Sequence, residues 1–195
     1  TMRQLSLNGP WTLDIPGSAF TAVPAEVPGS VYHDLLAAGR IPDPFYRDNE
    51  TEALKLMEYD FHYSRAFRVD GELLDCGAVL LRCEGLDTLA AVYINGAEAG
   101  RADNMHRVWE FDVKDLLRKG ENTIAVHFAS PTRFIRESYA ADPADGTADA
   151  MEGFPSLRKA HCMFGWDWGP RLPDAGIWRD ISLVCLLYTS DAADD

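Results

Sequence analysis

Apolar residues recur at every second position along much of this chain, the period of a strand with one face in a core and the other in water. Leu5 and Leu7, then Trp11, Leu13 and Ile15, alternate with polar residues across the Asn8-Gly9-Pro10 turn, which predicts a half-buried strand or hairpin at the start. Tyr59, Phe61, Tyr63, Phe67 and Val69 repeat the period, interrupted at Arg65, and predict a long strand. Residues 79–84 and 89–94 are two more, and Asn95-Gly96 after them is a strong hairpin signal because both residues tolerate positive φ. Trp109, Phe111 and Val113 alternate again, as do residues 123–128. Ile177, Arg179, Ile181 and Leu183 predict a final strand with Trp178 on its opposite face.

Helical signals are short. Ser30 is placed to cap a helix over 31–38 that Gly39 ends, residues 51–57 and 113–119 allow a turn or two, and 134–139 is weakly helical. The prolines of 41–46 predict an extended segment. Residues 140–152 are acidic, rich in Ala, Asp and Gly and without an apolar period, which predicts a solvated, mobile loop. Seven to nine short strands without a βαβ rhythm make the chain all-β, a two-sheet β-sandwich with a few short helices. Residues 187–195 follow neither period, resemble translated adapter sequence and are set aside from the fold, leaving one domain over 1–186.

Charge narrows the partners. With 18 Lys+Arg against 31 Asp+Glu, a net charge of −13 leaves little room for the basic patch that nucleic acid or an anionic membrane requires, so neither is expected as a partner. The four cysteines, Cys76, Cys83, Cys162 and Cys185, have no C-x-x-C spacing, and no metal or cofactor is expected. Cys83 and Cys185 lie in apolar runs and are expected to be reduced core residues. The start carries no signal peptide pattern, and the expectation is a cytoplasmic chain.

The candidate chemistry is concentrated in Phe164-Gly165-Trp166-Asp167-Trp168-Gly169-Pro170-Arg171-Leu172. A sugar ring offers C–H patches to an aromatic face and hydroxyls to a carboxylate, so two indoles around one Asp can hold it. The alternative is a buried Trp pair closing the sandwich, with Asp167 capping a turn.

Several segments in order, among them Leu7-Asn8-Gly9-Pro10-Trp11, Val27-Pro28-Gly29-Ser30-Val31-Tyr32-His33-Asp34, Ile41-Pro42-Asp43-Pro44-Phe45-Tyr46 and Leu157-Arg158-Lys159-Ala160 ahead of Trp166-Asp167-Trp168-Gly169, resemble the N-terminal domain of β-mannosidases. These belong to the glycoside hydrolase group that also holds β-galactosidases and β-glucuronidases. The resemblance implies a galactose-binding-like jelly-roll sandwich, followed in relatives by an immunoglobulin-like domain and a (β/α)₈ barrel that carries the two catalytic glutamates. It implies that Asp167, flanked by Trp166 and Trp168, binds hydroxyls of a terminal β-mannoside, with direct stacking and loop shaping both open for the indoles. The catalytic barrel of the same polypeptide is then the domain's partner. No catalytic residue is assigned within this chain, and a fragment of this kind is expected to be inactive alone. His106, Arg158 and Lys159 could line an interdomain cleft, but a structural role is the preferred reading for each. A free-standing carbohydrate-binding module, or the same domain of a β-glucuronidase or β-galactosidase, remains the alternative.

Overall fold

The computed structural model describes residues 3–187. In chain order the strands are β1 (Arg3–Ser6), β2 (Gly9–Asp14), β3 (Val23–Val27), β4 (Phe61–Val69), β5 (Ala78–Cys83), β6 (Leu86–Asp87), β7 (Ala90–Ile94), β8 (Ala97–Ala102), β9 (Trp109–Asp112), β10 (Gly120–Phe128), β11 (Phe164–Trp166), β12 (Gly169–Arg171), β13 (Gly176–Ile177) and β14 (Ile181–Leu186). Helices α1 (Val31–Ala37), α2 (Asn49–Leu56), α3 (Gly71–Leu74) and α4 (Pro131–Ala141) fill the connections. A six-stranded sheet, β3-β2-β4-β10-β7-β8, faces a four-stranded sheet, β1-β14-β5-β9, and neighbouring strands within each are antiparallel. The layers form the expected sandwich, since strands with one apolar face bury it only against another such face.

The alternation read from the sequence is the burial pattern. Leu13, Phe61, Tyr63, Val126 and Phe128 from the larger sheet meet Leu81, Cys83 and Leu183 from the smaller, all buried. Each large apolar side chain contributes about 1.5–3 kcal/mol by leaving water. Asn95 and Gly96 turn β7 into β8 with φ of 51° and 82°, and Ser30 caps α1 by accepting from the His33 amide at 3.3 Å. Arg65, the interruption in β4, occupies an inward position, but its Nη1 donates to the carbonyls of Leu7 (2.7 Å) and Asn8 (2.5 Å). A guanidinium at a core position is tolerated there because it satisfies backbone acceptors where the chain leaves one sheet for the other.

That crossing corrects the opening hairpin. β1 pairs with β14 in the smaller sheet, whereas β2 pairs with β3 and β4 in the larger, so the Asn8-Gly9 turn carries the chain between layers. The final strand is two: β13 pairs with β6, the chain bends at Arg179, and β14 joins the other sheet. Residues 41–46 are not wholly extended, because the Asp43 side chain accepts from the Phe45 amide at 2.9 Å and folds the segment into turns. The acidic segment 140–152 lacks regular structure beyond Ala141, yet its end is held: Ala150 is buried with Ile135, Phe154, Leu157 and Phe164.

Cys185 is not a reduced core thiol. It forms a disulfide with Cys76, which follows α3, at a Cα–Cα distance of 5.8 Å and a sequence separation of 109. Cys83 is buried and free as expected, and the thiol is pushed up to about 12 by burial. Of the set-aside segment 187–195, residues 188–195 lie outside the described residues.

Candidate functional site

β11 and β12 form a small hairpin apart from both sheets, with Phe164 opposite Arg171 and Trp166 opposite Gly169. Asp167 and Trp168 are its two-residue turn. Neither has positive φ, so the turn makes no demand for these side chains. Trp168 is 75% exposed and Trp166 43%, and Asp167 is exposed with no hydrogen bond to its carboxylate among the described residues. The alternative of a buried Trp pair with Asp167 capping a turn is therefore set aside. Two indoles left in water at a hairpin tip are an exposed apolar feature of the kind that marks a contact surface.

The base of the hairpin is rigidly held. Phe164 is fully buried, its carbonyl accepts from the Met151 amide at 3.0 Å, and the Leu172 amide donates to Met163 O at 3.0 Å. The Arg171 amide donates to a Glu50 carboxylate oxygen on α2 at 2.6 Å. Gly165 is required: its φ is +104°, and a Cβ there would lie 2.7 Å from Arg171 Cγ and 3.0 Å from Asp149 O. Beside this base, α1, Phe45 and the residues flanking the hairpin line a largely apolar cavity of about 390 Å³, with Tyr32, His33, Leu36, Met163 and Leu172 among its walls.

Beneath the hairpin lies a buried polar network. Lys159 has a fully buried side chain, and its ammonium pairs with the Asp87 carboxylate on β6 and donates to the Asp174 carbonyl at 2.5 Å. Lys159 enters the hairpin segment and Asp174 leaves it, so one cation clamps both ends. Lys159 therefore has the structural role preferred for it over lining a cleft, whereas His106 and Arg158 are exposed. The Asp174 carboxylate accepts from the amides of Tyr32 (3.1 Å) and Ala175 (2.8 Å). Burial nevertheless pushes its carboxyl up to about 6, against the opposing pull of these bonds, Ser30 and Lys159. Asp34 accepts from Tyr63 Oη at 2.8 Å and from the Glu26 amide at 3.0 Å, and burial raises it as well. Sequence periodicity does not reveal this network, because Lys159 lies on an irregular connection and Asp87 on a two-residue strand 72 positions away.

The network supports the hairpin and offers no open carboxyl pair of the kind glycoside cleavage uses. Among the described residues no group of three or more His, Cys, Asp or Glu side chains could hold a metal ion. What the arrangement offers is one free carboxylate between two exposed indoles on a fixed support.

Comparison with known proteins agrees with this geometry. The profile of the glycosyl hydrolase 2 galactose-binding domain-like family matches residues 11–179. A β-mannosidase from Capra hircus is 33% identical over 187 residues, covering 92% of this chain and 21% of its own. A β-mannosidase B from Aspergillus terreus is 35% identical over 175 residues, covering 87% and 20%. The crystal structure of a β-D-mannosidase from Dictyoglomus thermophilum superposes with a TM-score of 0.87 at 39% identity, over 93% of this chain and 22% of that one. A Bifidobacterium dentium β-glucuronidase shares the fold at 23% identity and a TM-score of 0.60, covering 95% of this chain and 30% of that one. The chain spans about a fifth of the length of the β-mannosidases it matches.

Proposed function

Because the chain belongs to the glycosyl hydrolase 2 galactose-binding domain-like family, we propose that it is the N-terminal domain of an exo-acting β-mannosidase and presents Asp167 to the terminal sugar. The identities favour this over the glucuronidase reading: 39% to the thermophilic β-mannosidase against 23% to the bacterial β-glucuronidase. In this reading the catalytic carboxyl pair comes from the barrel of the same polypeptide, and the present chain alone hydrolyses nothing. An enzyme that removes single sugars needs a closed end to its pocket and groups that read the terminal hydroxyls. A carboxylate on a neighbouring domain supplies both.

The observation that carries the reading is the exposure of Asp167, Trp166 and Trp168 at a hairpin tip whose base is buried and hydrogen-bonded. Asp167 accepts hydroxyl protons in hydrogen bonds, and Trp166 and Trp168 flank the ring or shape the loop. A hydrogen bond to a charged acceptor is worth about 1.5–3 kcal/mol, so Asp167→Ala in the complete enzyme should lower kcat/KM roughly 10- to 150-fold. The assay is hydrolysis of a nitrophenyl β-mannoside with thermal unfolding in parallel. Near-normal kcat/KM in a folded variant would remove Asp167 from substrate contact.

A further inference from the structure

The outward face of the larger sheet carries a feature that the hairpin does not use. In register across four strands stand His62 on β4, His127 on β10, Ala91 on β7 and Arg101 on β8. His62, His127 and Ala91 alternate with buried neighbours along their strands, and Arg101 is exposed. The two imidazoles stack at 3.7 Å with 12° between their planes, and Tyr93 tilts against His127 at 4.9 Å. Ala91 contributes only a methyl group, so the row is open between the His127 ring and the Arg101 guanidinium.

That opening belongs to a cavity of about 530 Å³. It is lined by Ala91, Ala102, His127 and Trp109, and Arg101 and Asp103 bring polar groups. The volume falls within the range of small-ligand sites, roughly 300–1,000 Å³. Its aromatic walls are pinned. Trp109 Nε1 donates to Asn104 O at 3.1 Å, and the Arg107 guanidinium lies 4.5 Å from its ring centroid. His127 is backed by His62, and burial and then that neighbour lower its pKa, which leaves a neutral flat ring at pH 7.

The chemistry of these walls selects a class of ligand. Aromatic faces accept the C–H side of a pyranose, and a guanidinium and a carboxylate can hold its hydroxyls. Arg101 is already paired with Glu98 at 2.5 Å, and the chain's net charge is −13, so an anion gains little here. We propose that this slot is a second carbohydrate-binding site, taking a neutral pyranose unit between His127 and Arg101 over Ala91. The choice of a mannose-based probe rests on the β-mannosidase reading, whereas the slot itself does not.

The test is calorimetric titration of the 195-residue chain with β-1,4-mannobiose and, separately, with glucuronate. Mannobiose should bind with a Kd on the order of 1 mM, the strength of a shallow single-sugar site, and glucuronate more weakly. Ala91→Leu fills the slot from an outward position and should weaken binding at least tenfold, and Arg101→Ala at least threefold. Asp167→Ala should leave this binding in place. Wild-type binding in both slot variants, a preference for glucuronate, or no detectable mannobiose binding at about 20 mM overturns the proposal. Loss of binding in Asp167→Ala but not in Ala91→Leu places the sugar at the hairpin, which sinks the slot while the hairpin reading survives. Normal kcat/KM for Asp167→Ala in the complete enzyme sinks the hairpin reading without touching the slot.

Discussion

Removing the ammonium of Lys159 would leave a buried carboxylate without its counter-ion. Lys159→Met keeps the length and bulk of the side chain, but leaves the buried Asp87 carboxylate without its counter-ion and the Asp174 carbonyl without its donor. Breaking one half of a buried pair costs about 3–5 kcal/mol, because the remaining charge stays in a poorly solvating interior. That is a large share of the roughly 5–15 kcal/mol that holds a domain together. With a urea m-value of about 2 kcal/mol per M, a cost near 4 kcal/mol moves the unfolding midpoint down by about 2 M. In heat it lowers Tm by about 8–16 °C for a chain of this size. The partner experiment is Asp87→Asn/Lys159→Met, which removes both charges and should recover at least half of the loss. A midpoint shift below about 0.5 M urea for Lys159→Met, or no recovery in the double variant, would show that the pair does not stabilise the network as argued. Lys159 clamps both ends of the hairpin segment, so in the complete β-mannosidase proposed above the same variant should lose kcat/KM beyond what its stability explains.

Other outcomes follow from the same structure. Gly165→Ala should cost about 1–3 kcal/mol, since it forces an L-residue to positive φ against Arg171 and the Asp149 carbonyl; an unchanged Tm would contradict the close approach. Thiol titration of the denatured chain should find the two free cysteines, Cys83 and Cys162, without reductant and all four after reduction. Four thiols in an unreduced sample would remove the cross-link. Its reduction should cost about 3–5 kcal/mol from the size of the loop it closes. The Asp174 carboxyl titrates near 6 in the folded protein against an ordinary 3.8, so the folded form keeps a proton that the unfolded form releases earlier. Its contribution is complete below the unfolded value and disappears as pH rises to about 6. Relative to Asp174→Asn, the wild type should lose about 2–3 kcal/mol between about pH 4 and pH 7, and a pH-independent difference in urea midpoint would refute the assignment.

Local chemistry made much of this molecule legible. Period-two alternation located the strands because each buries one face, and Asn95-Gly96 and Ser30 announced a turn and a cap through side-chain properties that act within a few residues. The hairpin tip was legible because Trp-Asp-Trp is an unusual composition for a turn. Long-range pairing was not. Nothing around Cys76 and Cys185 indicates that a 109-residue separation closes, since Cys185 looks like an ordinary apolar strand position and Cys76 stands alone between Asp75 and Gly77. The alternation from Ile177 to Leu183 hides a change of sheet, because a bend at Arg179 preserves the period while moving the chain to another layer. The sequence around Lys159 does not name its partners, and only its meeting with Asp87 and Asp174 makes burial tolerable.

The strand order of the smaller sheet carries one more consequence. β14 runs between β1 and β5, so β1 has no neighbour in its layer until nearly the whole domain has emerged from the ribosome. During synthesis β1 waits as an unpaired segment and β5 lacks one flank, a state open to capture by chaperones or by another nascent copy. Translation pauses placed before residue 181 should therefore lower the yield of folded protein more than pauses placed after residue 186.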